Sequence, residues 1–232
     1  MQTVLMYGAG DGGPAGWPVQ VARGGTEGWT FLDRAAPSAV APVPVDDPVV
    51  DAARIVDALR GDGHLVAHSG GAVPALLAVD REPDALRSLT LFEPACLGVA
   101  RGRPGVEAMV AAMGRVFDRA DDADLHDAGF THEFLLAMGA PGADPADPSN
   151  AEVGARLRRS TPPWEIPLSL DALSQVPTLV LTGGWSAAFD EVAEVLAGAG
   201  ARHVEVPGSG HGPQYHPDGH AAMVEFQAAY GR

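Results

Sequence analysis

Apolar residues in this chain fall in short runs separated by longer amphipathic stretches. Runs rich in Val, Leu, Thr and aromatic residues stand at 3–7, 29–32, 64–67, 88–92, 178–181 and 203–206. Each is too short for a helix and reads as a buried strand. Between them, 48–60, 73–79, 189–199 and 219–230 carry apolar residues at helical spacing. Strands that alternate with helices predict an α/β fold. The expected form is a three-layer α/β/α sandwich around a mostly parallel sheet of about six strands. Ligands of such sheets bind at the carboxyl ends of the strands.

The alternation lapses between 97 and 163. Val106, Met109, Val110, Met113, Val116 and Phe117 recur at helical spacing, which predicts an amphipathic helix over 105–120. A second helix is expected at 132–138. Residues 139–150 are rich in Gly, Pro, Ala and Asp and read as a mobile loop. The expected organisation is therefore a core of 1–96 and 164–232, with a small helical lid, 97–163, inserted. Helices packed on the core without any gating role give the same pattern.

Composition narrows the function. With 232 residues the chain suits one domain, and it can bury roughly 70–75% of its unfolded surface without a staple. The hydrophobic share of 46% is that of a globular protein, and no apolar run is long enough to span a bilayer. The formal net charge is −15, and all 15 basic residues are arginine. Such a surface repels nucleic acid and anionic membranes, so neither is an expected partner. Acidity of this kind also serves solubility alone. Cys96 is the only cysteine, which excludes an internal disulfide and a cysteine-built zinc site. The N-terminal stretch has no charged region ahead of a long apolar run. No signal peptide is read there, and the cytoplasm is the expected compartment. Nothing in the pattern specifies an oligomeric state.

The most informative segment is His64-Leu-Val-Ala-His-Ser-Gly-Gly-Ala72. A buried strand runs into a serine, then into small residues, then into a helix. A serine there can be an ordinary helix N-cap. It can also be a nucleophile lifted above the strand ends, with the Gly70 N–H aimed at a developing oxyanion. Ala67-His68-Ser69-Gly70-Gly71 resembles the G-x-S-x-G elbow of the α/β-hydrolases, with alanine at the first glycine. Val4-Leu-Met-Tyr-Gly-Ala-Gly10 resembles their oxyanion loop, with Tyr7 in place of the usual histidine and the Ala9 N–H as second donor. Val206-Pro-Gly-Ser-Gly-His-Gly-Pro-Gln214 resembles the loop that presents their catalytic histidine, here His211.

The resemblance covers nearly the whole chain outside the lid. It implies a trimmed α/β-hydrolase that lacks two leading antiparallel strands. It also implies a serine hydrolase that cleaves a small ester, thioester or lactone through an acyl-enzyme, with no cofactor and no metal. The usual acid is missing: Leu181-Thr-Gly-Gly-Trp-Ser186 carries Ser186 where relatives have aspartate. Glu93, in Glu93-Pro94-Ala95 after the fourth strand, and Asp190 are the candidate substitutes, and a dyad without an acid is the third option. Tyr7, His68, Trp164 and Trp185 are expected to line the substrate pocket, although Trp164 and Trp185 also suit a plain core.

Other readings compete. Gly8, Gly10 and Gly13 satisfy G-x-G-x-x-G after a strand, and Asp33 closes the next strand, as in a dinucleotide-binding oxidoreductase. Pro14, Gly16 and Pro18 sit where its phosphate-binding helix should start, which argues against it. The α/β-hydrolase scaffold also hosts lyases and small-molecule receptors, so a non-hydrolytic role is the main alternative. His211, His216 and His220 are close in sequence, but Pro213 and Pro217 break the helix a metal cluster would need.

Overall fold

The structure, a computed structural model, describes residues 2–9, 12–23, 27–33 and 46–231. Gly10 of the glycine-rich loop lies outside the described residues. Among the described residues six strands form one sheet: β1 (Gln2–Met6), β2 (Trp29–Leu32), β3 (Gly63–His68), β4 (Leu86–Phe92), β5 (Thr178–Thr182) and β6 (Arg202–Glu205). Their order is β2-β1-β3-β4-β5-β6, and every neighbouring pair is parallel. This is the expected trimmed sheet.

Side chains alternate across each strand, so one apolar run feeds two cores. Val4, Met6, Leu65, Ala67, Leu89, Leu91 and Val180 point to one face. Leu5, Val66, Phe92, Leu179 and Leu181 point to the other, against Trp17, Met223 and Phe226. Strands covered on both faces need no polar alternation, which is why these runs are continuously apolar.

Helices α1 (Pro18–Ala22), α2 (Pro48–Leu59), α3 (Ala72–Arg81), α7 (Ala187–Gly198) and α8 (Pro217–Ala229) flank the sheet. Local chemistry sets their ends. Asp47 caps α2 by accepting from the Val49 and Val50 N–H groups, with Pro48 at the first helical position. The inserted segment forms α4 (Pro104–Phe117), α5 (Asp127–Ala137) and α6 (Pro148–Leu157). Two of these differ from expectation. Helix α5 starts earlier than residue 132, because Gly129 and Thr131 mask its first turns. Helix α6 was not expected, because its sequence is small and polar. Asp147 caps it, and Gly154 lets it cross tightly over α5, where a Cβ would collide with the Asp127 carbonyl. Among the described residues no helix is long and apolar enough to cross a membrane.

Candidate active site

The site begins where two neighbouring strands end in step. His68 of β3 pairs with Phe92 of β4, and the next residues are Ser69 and Glu93. Both take left-handed backbone, with φ of 51° at Ser69 and 45° at Glu93. Such geometry costs a non-glycine residue roughly 1–3 kcal/mol, so it persists only where neighbours hold it. Here the Ala95 N–H donates to the Ser69 carbonyl at 3.1 Å, which ties the two turns together. The chain around Ser69 must be small. A Cβ on Gly8 would lie 2.8 Å from the Ser69 Cβ, and one on Gly71 would lie 2.7 Å from the Met6 carbonyl oxygen.

His211 arrives on the loop after β6. Its Nε2 lies 3.0 Å from Ser69 Oγ, and its Nδ1 lies 3.2 Å from Glu93 Oε2. A carboxylate accepts, so Nδ1–H donates to Glu93 and Nε2 is left to accept from the serine hydroxyl. Glu93 is fully buried. The Gly183 N–H donates to its Oε1 at 2.6 Å, and the Trp185 Nε1–H donates to its Oε2 at 2.9 Å. Asp190 and Ser186 make no hydrogen bond to His211: Asp190 Oδ1 is buried without a partner, and Ser186 stands at the N-cap of α7. Of the candidate acids, Glu93 is the one the structure brings to the imidazole.

The sequence profile of the alpha/beta hydrolase family matches residues 8–223. The chain belongs to the alpha/beta hydrolase family. No curated protein sequence matches this hydrolase-family chain. Solved structures share its fold at low identity. MenH from S. aureus is 14% identical with a TM-score of 0.66, over 100% of this chain and 95% of that one. NosK from Streptomyces actuosus is 20% identical with a TM-score of 0.62, over 100% and 99%. A variant epoxide hydrolase from Bacillus megaterium is 14% identical with a TM-score of 0.65, over 98% and 93%.

In this α/β-hydrolase a pocket opens beside Ser69, with Ala9 and Gly70 at the same end. Met109, Met113 and Phe117 of α4, Phe134 of α5, Met138 just after it, and Phe189 of α7 supply its apolar wall. The four expected pocket residues stand elsewhere. Trp164 packs edge-on behind Phe117, with ring centroids 5.4 Å apart. Trp185 holds Glu93. The Tyr7 hydroxyl meets the Tyr215 hydroxyl at 2.5 Å. His68 is buried under the site, and its Nε2–H donates to the His211 carbonyl at 2.9 Å. The wall comes instead from α4, α5 and α7. The helical spacing of Met109, Met113 and Phe117 was the signal for this wall.

Burial, with His211 close by, holds the His68 imidazole well below the ordinary histidine range, so it stays neutral. Burial pushes the Cys96 thiol up to about 12, which removes it as a rival nucleophile. Among the described residues no three His, Cys, Asp or Glu side chains gather as a metal site. His216 instead caps α8, accepting from the Asp218 N–H at 3.2 Å. The dinucleotide reading lacks the phosphate-binding helix it needs. Helix α1 has only five residues.

Proposed function

We propose that this α/β-hydrolase is a serine hydrolase that cleaves small, neutral esters, thioesters or lactones through an acyl-enzyme. Ser69 Oγ attacks the carbonyl carbon while His211 Nε2 takes its proton. The Ala9 and Gly70 N–H groups stabilise the oxyanion, and Glu93 stabilises the imidazolium. His211 then returns the proton to the leaving oxygen or sulfur as the acyl bond breaks. Water, deprotonated by the same imidazole, attacks the acyl-enzyme and frees the acid.

The observation that carries this reading is the unbroken run from Ser69 to His211 to Glu93 beside an apolar pocket. The pocket also suggests which half of the substrate goes where. The leaving group takes its proton from His211, and His211 is not part of the pocket wall. The acyl half, which stays on Ser69, then fills the pocket. Among the described residues the wall holds one carboxylate, Asp46, and no basic side chain, which favours an uncharged acyl group. Residues 97–163 act as the lid over that group. The proposed compartment is the cytoplasm.

The test is hydrolysis of p-nitrophenyl esters with a stopped-flow record of the first turnover. A burst of one p-nitrophenol per chain is expected in wild type, and none in Ser69→Ala. A wild type inert to every ester, thioester and lactone offered would point to a lyase or a binding protein on the same scaffold.

A further inference from the structure

We propose that Trp185 is a positioning residue, whose indole N–H fixes the Glu93 carboxylate so that Oε2 serves His211. The inference rests on the serine-hydrolase reading above. A glutamate has one more rotatable bond than an aspartate, so an acid moved to Glu93 is harder to aim. The structure holds both of its oxygens. Gly183 N–H takes Oε1, and Trp185 Nε1–H takes Oε2, the same oxygen that accepts from His211 Nδ1. Both donors come from the loop after β5, where the family resemblance leads one to expect the acid itself. In this chain that loop supplies hydrogen-bond donors in place of a carboxylate.

The indole is itself fixed. It stacks on Phe189 at 5.8 Å and 29°, and it meets the His211 ring edge-on at 5.7 Å and 69°. It therefore touches both members of the acid–base pair. Removing that N–H should let the carboxylate turn away from His211.

Trp185→Phe keeps a ring against Phe189 and deletes only the donor. Steady-state kinetics on p-nitrophenyl butyrate should show kcat reduced roughly tenfold or more, the loss of one hydrogen bond to a charged group, with KM within about twofold. In a Glu93→Gln background the Trp185→Phe effect should vanish, because no charge remains to hold.

A folded Trp185→Phe with wild-type kcat overturns the inference. So does an equal loss in the Glu93→Gln background. Either result leaves the Ser69 burst, and with it the hydrolase reading, untouched. If Trp185→Phe does not fold, the indole N–H resonances of wild type decide. One of the four should move upfield in Glu93→Gln, and four unmoved signals overturn the inference.

Discussion

Ser69 and Glu93 are neighbours across two parallel strands, and both leave their strands in left-handed backbone. Paired strands that end in step deliver their next residues side by side. Left-handed turns then lift both side chains out of the pleat and over the same edge of the sheet. His211 needs only to reach across from the β6 loop to touch both.

The strain at Ser69 predicts a stability gain from glycine. Glycine adopts φ of 51° at little cost. Ser69→Gly should raise the melting temperature by about 2–4 °C, the equivalent of about 1 kcal/mol in a chain of this size, and abolish esterase activity. An unchanged or lower melting temperature would contradict a strained elbow.

The two acids predict different losses. Glu93→Gln removes the charge that faces the imidazolium, and kcat should fall by up to roughly 10⁴-fold. Asp190→Asn should leave kcat within about twofold, since Asp190 does not touch His211. Circular dichroism of both variants separates loss of chemistry from loss of fold. Similar small effects from the two would contradict the assignment of Glu93.

His68 predicts an acid limit to stability. Its folded-state pKa lies well below the ordinary 6.5, so the unfolded chain takes up a proton that the folded chain refuses. Stability is therefore full above about pH 6.5 and falls as the pH drops below it, by up to about 1.4 kcal/mol per pH unit from this group. His64 and His220 are also lowered by burial and act in the same direction. Urea unfolding of His68→Gln between pH 7 and pH 5 should show a shallower decline than wild type. Gln retains an N–H for the His211 carbonyl. Parallel declines would contradict a buried, neutral His68.

The pocket predicts which half of an ester matters. Each methylene buried in the wall adds about 0.8 kcal/mol, or roughly fourfold in kcat/KM. Activity should rise from acetyl to butyryl p-nitrophenyl esters, and lengthening the alcohol of aliphatic acetates should do little. Met113→Trp should remove the gain for the longer acyl group. A dependence on alcohol length alone would place the leaving group in the pocket.

Much of this was legible in the residues. The sheet was, because strands such as 64–67 and 178–181 are apolar on both faces and flanked by amphipathic helices. Ser69 and His211 were, because small residues must surround a tight turn and a loop that swings back. The acid stayed open, since Glu93 and Asp190 are separated only by where two loops close in space. Helix α6 was hidden by Gly154, whose role is a close crossing with α5 that no single-segment pattern contains. The pocket wall was misplaced because Trp164 and Trp185 are large, and size alone does not say which layer a ring occupies.

If His211 makes the Ser69 hydroxyl nucleophilic, a fluorophosphonate should modify Ser69 in wild type and almost nothing in His211→Ala. Peptide mapping by mass spectrometry reads both proteins. One adduct on Ser69 in wild type alone is expected; an unmodified wild type, or an adduct on another residue, would show that His211 does not activate Ser69.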